Sequence, residues 1–197
     1  MEAVSFRQMK DGTKADYEFL GALEQEFIDQ LPERILGALR ALDDTLSGYQ
    51  VTRLEHSLQT ATRAEADGVD EEMVLGALIH DLGDDLAPEN HSQYAAVIIR
   101  PYVRPEVTWV VEHHGLFQKV YYAHHFGEDP YARDVYRDHP YYASCVRFCE
   151  DWDQASFDPD YPAKPLEHFE PMVRRIFSRE PFDPAVVERT EAPAAGD

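Results

Sequence analysis

"EEMVLGALIHDLGD", residues 71 to 84, reads as a helix that stays apolar for two turns and then sets a histidine and an aspartate where leucine belongs. Counted by i, i+3, i+4 and i+7, Met73, Ala77 and His80 share one face, and Val74, Ala77, Leu78 and Asp81 share the adjacent one. His80 and Asp81 are therefore expected to point inward. A buried carboxylate has to be paired or neutralised, so a chain that buries one here needs a partner for it.

The same pattern recurs on either side. His91 falls on the face of Ala95, Ile98 and Ile99; His114 sits at the centre of the stripe Val107, Val110 and Val111; Asp153 continues the stripe Tyr142, Val146 and Cys149. His56, which opens "HSLQTA" (56 to 61), lies beside the stripe Leu54, Leu58 and Ala61, and periodicity alone does not select it. A single inward histidine is ordinarily a hydrogen-bonded core residue. Several imidazoles and carboxylates converging in one small domain, with few basic residues near them in the sequence, call for a metal instead. Histidine with aspartate suits iron, manganese or zinc, and an adjacent His-Asp pair suits two ions bridged by the carboxylate.

The rest of the chain supplies the scaffold. Helical periodicity runs over about 51–66, 71–81, 90–100, 106–114, 140–155 and 165–178, with two packed helices expected over 15–45, split at Pro32. Gly68, Pro88, Pro101, Pro105, Gly115 and Pro159 read as the breaks, and no alternating strand pattern emerges, so the fold is expected to be all-α. A chain of 197 residues supports one domain, placed at 1–180 with its motif core at about 50–155, followed by a flexible tail over 181–197. Residues 121–142, rich in aromatic and charged groups, read as a functional loop or short helices, with His124 and His125 in it as candidates for substrate contact.

Composition narrows the partners. Eighteen basic against thirty-eight acidic side chains leave a formal charge of -20, which repels nucleic acid and anionic membrane surfaces. With no 18-residue apolar run and no signal-peptide core in "MEAVSFRQMKDG", the expected location is cytoplasmic. Cys145 and Cys149 are expected to be buried free thiols.

In chain order, His56, the pair His80-Asp81, His91, His114 and Asp153 resemble the metal ligands of the HD-domain superfamily, specifically its dinuclear branch. "HSLQTA" is similar to the matching segment of that branch's mixed-valence diiron oxygenases, which act on myo-inositol or on hydroxylated aminoalkylphosphonates. The resemblance implies an HD-type helical bundle with His80 and Asp81 at the catalytic centre. It implies that His56, His80, Asp81 and Asp153 hold one iron and that Asp81, His91 and His114 hold the other, as an Fe(II)/Fe(III) pair. The reactants would be dioxygen and a small hydroxylated molecule, whose C-C or C-P bond is cleaved. The same ligands serve the wider family's phosphohydrolases, which act on nucleotides or phosphomonoesters with manganese or another divalent metal, and that alternative stays open. A metal-stabilised module without turnover ranks third.

The resemblance also marks substrate-binding positions. The two head-group positions of the phosphonate-cleaving type fall on Asp84 and Glu150, Lys119 lies close to its phosphonate-binding lysine, and Leu46 stands where it has a tyrosine, Tyr49 being the nearest. Acidic groups at head-group positions predict a substrate less anionic than a simple phosphonate, its amine or trimethylammonium facing Asp84, Glu150 or an aromatic ring.

Overall fold

Helix α4 (Glu71–Ile79) is the axis of the molecule, because every residue from Glu72 to Ile79 is buried. The computed structural model describes residues 3–190, and among these there is no strand, so the protein is an all-helical bundle. A helix surrounded on all sides needs no polar face, which is why residues 71–79 read as almost continuously apolar. Its one buried charge, Glu72, accepts from the Arg104 backbone N–H (3.0 Å) and from Arg179 Nη1 (2.6 Å) and Arg189 Nη2 (2.5 Å). Asp70 caps the helix by accepting from the N–H groups of Glu72 and Met73.

Around α4 pack α3 (Arg53–Ala66), α6 (Pro105–Tyr122) and α8 (Leu166–Phe177). Helix α2 (Leu31–Ala41) lies on α8, and α5 (His91–Ile99) lies along α6. Helix α7 (Tyr142–Arg147) runs directly into a π-helical turn, Phe148–Asp153. No helix among the described residues is long and apolar enough to cross a membrane. Cys145 and Cys149 are buried free thiols.

Three sequence expectations change. Helix α1 (Lys14–Asp29) is well formed, with a Thr13/Asp16 capping box, yet buries no residue; Leu23, Phe27 and Ile28 stay exposed, so it does not join the core that α2 enters. Gly115 does not end a helix. Helix α6 passes through it, and a Cβ there would meet Ser92 Oγ at 2.9 Å, so glycine is what lets α5 and α6 approach. In the expected tail, Pro184–Val187 forms a short helix, α9, and Arg189 reaches the buried Glu72; residues 191–197 lie outside the described residues.

Candidate metal centre

Helix α3 delivers His56 by burying its polar side. A capping box between Thr52 and Glu55 starts the helix, and one turn on, His56, Ser57, Gln59, Thr60 and Thr62 all face inward while Leu54 and Leu58 are half-buried. Of the stripe expected from hydrophobicity, Ala61 is fully buried and Leu54 and Leu58 only partly so, and most of the inward side is polar. The cause is the irregular segment after the π-turn, whose backbone must find hydrogen-bond partners. Gln59 Nε2 donates to the Asp158 carbonyl (2.8 Å), Thr62 Oγ1 accepts from the Lys164 N–H (3.0 Å), and His56 Nδ1 bonds the Ser156 carbonyl (2.9 Å).

His80 and Asp81 follow the last turn of α4, His91 is the first residue of α5, His114 sits inside α6 and Asp153 ends the π-turn. Gly83 allows this corner: a Cβ there would lie 2.7 Å from His91 Cα and from its carbonyl oxygen. The five helical segments therefore meet at one point, and all six side chains reach it.

Each imidazole is held the same way. Nδ1 of His56, His80, His91 and His114 lies 2.9, 2.8, 3.3 and 2.7 Å from the carbonyl oxygens of Ser156, Ala77, Pro88 and Val111. Those carbonyls require Nδ1–H, so in the neutral rings Nε2 carries the lone pair, and all four Nε2 atoms point inward. Asp81 stands between two pairs. Its Oδ2 is 3.5 Å from Nε2 of both His56 and His80, and its Oδ1 is 3.5 Å from His91 Nε2 and 3.3 Å from His114 Nε2. Asp153 Oδ1 adds a second carboxylate to the first pair, 3.2 Å from His56 Nε2 and 3.6 Å from His80 Nε2.

The donor set fits cations. His56 Nε2 and His80 Nε2 are 3.0 Å apart, a contact that two lone pairs cannot hold without a positive charge at hand, and Asp153 Oδ2 is buried with no hydrogen-bond partner. Three ligand groupings emerge from the geometry: His56, His80 and Asp81; His80, His114 and Asp153; and Asp81, His91 and His114. Without a metal, protons must substitute. Burial pushes the His56 and His80 imidazoles down, but the Asp153 and Asp81 carboxylates outweigh it and hold both above the ordinary value of 6.5. Asp81 and Asp153 are buried, yet the imidazoles around them pull both carboxyls well below the carboxylate range.

The centre opens into a cavity of about 730 Å3. Of the expected substrate-binding residues, Tyr49 and Asp84 line it, and Lys119 and Glu150 do not. Lys119 pairs with Glu128 at 2.8 Å on the outside. Five residues beyond His114 an α-helix has turned away from the His114 face, whereas Gln118 and Tyr121, four and seven residues on, stay on it and line the cavity. Glu150 is exposed because the π-turn is wider than an α-turn and breaks the i, i+3 relation to Asp153. The i, i+4, i+7 rule applied to His114 would have found Gln118 and Tyr121.

Asp84 is not a free negative charge. Its Oδ2 lies 2.9 Å from Arg53 Nε and its Oδ1 lies 3.4 Å from His91 Nδ1. Arg53, the first residue of α3, also approaches Asp81 Oδ2 at 3.4 Å, so a basic residue does stand beside the carboxylates. Sequence reading passed over it, although it lies one turn before His56. Aromatic rings complete the walls: Phe157 stacks on His56 (4.3 Å) and on Tyr49 (5.0 Å), and Tyr121, Tyr122 and Phe126 also line the cavity. The segment after α6 forms short 3-10 turns at Ala123–Phe126 and Ala132–Tyr136, and His125 joins the lining. His113 and His139 instead stack on Trp109, each at 4.2 Å, and His168 meets Glu65 on the surface.

A helical bundle that gathers a histidine, a His-Asp pair, two further histidines and a closing aspartate at one point is the HD architecture, and the model of that family, described as "HD domain", matches residues 53–151. The chain belongs to the HD-domain family. Within it, the chain is similar to the [1-hydroxy-2-(trimethylamino)ethyl]phosphonate dioxygenase (glycine-betaine-forming) of Leisingera caerulea, 34% identical over 83 residues. That match covers 36% of this chain and 42% of the relative's length.

Proposed function

We propose that this protein is a non-haem diiron oxygenase that uses dioxygen to cleave the C-P or C-C bond of a small hydroxylated substrate carrying an ammonium group, and that it works in the cytoplasm. The observation that carries the reading is Asp81, which turns one carboxylate oxygen to the His56/His80 pair and the other to the His91/His114 pair. In this reading His56, His80, Asp81 and Asp153 hold one iron, and Asp81, His91 and His114 the other. The similarity to a phosphonate dioxygenase supports oxygen chemistry over phosphate-ester hydrolysis.

Bound, the Fe(II)/Fe(III) pair would supply dioxygen activation and the removal of hydrogen from the hydroxyl-bearing carbon. The protein's own groups orient and enclose. The four backbone carbonyls fix the imidazole rings and place the lone pair of each neutral ring on Nε2, facing the centre. Asp84 braces His91 from outside. With Asp84 already paired to Arg53 and Glu150 facing solvent, recognition of an ammonium group falls to the rings of Tyr49, Tyr121, Tyr122, Phe126 and Phe157, whose faces attract cations while excluding water.

Oxygen uptake by the iron-loaded protein tests this, measured against hydroxylated aminoalkylphosphonates, polyols and hydroxylated amines. Substrate-dependent uptake with a carboxylic acid product is expected. Anaerobic phosphate release from a nucleotide or phosphomonoester, with no substrate-dependent oxygen uptake, would instead establish a phosphohydrolase.

A further inference from the structure

We infer that Arg53 is a specificity-determining residue, its guanidinium receiving an anionic group of the substrate, a phosphonate or a carboxylate, beside the metal centre. The inference rests on the oxygenase reading for the reaction but makes a separate claim about binding.

Arg53 is the one arginine or lysine among the side chains lining the cavity, since Lys119 is committed to Glu128 outside it. Its position is fixed on three sides. Nε lies 2.9 Å from Asp84 Oδ2, Nη1 lies 3.4 Å from Asp81 Oδ2, and the guanidinium carbon sits 5.0 Å from the centre of the Tyr49 ring. Among the described residues only Nη1 makes a hydrogen bond, Nε and Asp84 Oδ2 being an ion pair without one, and the side chain keeps 15% of its surface exposed. A guanidinium placed by two carboxylates and an aromatic ring, with Nη2 still free to donate, is already positioned for an oxyanion, so little side-chain entropy remains to be lost on binding.

Charge balance gives the sign of the ligand. Asp81, Asp84 and Asp153 are the carboxylates of this lining. Two multivalent cations together with Arg53 outweigh them, so a group entering here meets a positive field and a cationic one is repelled. The aromatic rings of Tyr121, Tyr122 and Phe126 line the same cavity. The substrate class is therefore a zwitterion, with its anionic end on Arg53, its hydroxyl-bearing carbon at the metals and its ammonium among the rings.

The test is isothermal titration calorimetry, without oxygen, on protein loaded with iron to equal content in every variant. Two probes are used: 2-(trimethylammonio)ethylphosphonate, which lacks the reacting hydroxyl, and choline, which keeps the cationic end and lacks the anion. Wild type is expected to bind the phosphonate more tightly. Arg53→Gln should weaken the phosphonate by about ten- to a hundredfold, the worth of a charge-assisted pair, and leave choline within about twofold. Arg53→Lys should recover part of the loss, because an ammonium keeps the charge without the fork. Equal weakening of both probes, no change in either, or a wild type that does not prefer the phosphonate would overturn the inference. If the selective loss occurs but the wild type consumes no oxygen with any hydroxylated substrate, the oxygenase reading fails and the assignment of Arg53 stands.

Discussion

Asp153 holds the first pair of histidines with one oxygen and leaves the other buried without a partner. A neutral amide in its place would keep the shape and lose the charge. Asp153→Asn is accordingly expected to drop bound metal from two ions per chain to about one, retaining the ion held by Asp81, His91 and His114; elemental analysis that still finds two would count against this division of ligands. Protonation follows the same geometry. Because the carboxylates hold His56 and His80 above their ordinary value, the metal-free protein keeps protons there to a higher pH than ordinary imidazoles do, and metal uptake over that range releases them. Metal-binding heats measured in two buffers of different ionisation enthalpy should therefore differ, and identical heats would contradict it. Most of these residues were legible as polar intrusions on apolar stripes. His56 was not, because the inward side of α3 is polar to serve the backbone of a segment about 100 residues away in sequence, information that no local periodicity carries.

At the scale of elements, the bundle depends on two local exceptions. Glu72 is a carboxylate inside the central helix, kept ionised by the Arg104 backbone and by the Arg189 and Arg179 side chains, which together overcome burial and hold it below its ordinary 4.5. Glu72→Ala would remove the acceptor of the buried Arg104 N–H and of the partly exposed Arg179 and Arg189, while the Arg104 guanidinium keeps Asp70 and Glu106, so a loss of about 1–3 kcal/mol in urea unfolding is expected. Since the folded state binds this proton less readily than the unfolded one, the contribution of Glu72 is fully present above pH 4.5 and disappears as the pH falls below it. A variant lacking Glu72 should lose less stability between pH 5 and pH 3 than wild type. Gly115 is the second exception. Gly115→Ala places a methyl group against Ser92 Oγ and within 3.7 Å of His91 Nε2, with an expected cost of about 1–3 kcal/mol and a weakened His91/His114 side of the centre. Helix identities were readable from periodicity, whereas the passage of α6 through Gly115 and the π-turn before Asp153 were not. The first depends on what α5 places opposite Gly115, and the second, a local widening that no i, i+3 pattern reveals, is also why Glu150 faces water.

Across the whole molecule, a charge of -20 is spread over a single bundle whose functional end gathers imidazoles and carboxylates from five segments. Self-repulsion of that size destabilises the compact state, so the melting temperature should rise between about 10 mM and 150 mM salt as the Debye length shortens. A flat response would mean that local pairs, such as Arg174 with Glu33 and Glu170, already offset the excess. The arrangement of helices exists, in this account, to hold two metal ions on either side of one aspartate. The most direct measurement is quantitative iron loading followed by EPR during stepwise reduction. The account predicts two irons per chain and, at one electron per pair, the signal of a coupled Fe(II)/Fe(III) centre that is abolished in Asp81→Ala. A single iron per chain, or a signal from isolated Fe(III) that Asp81→Ala leaves unchanged, would contradict it.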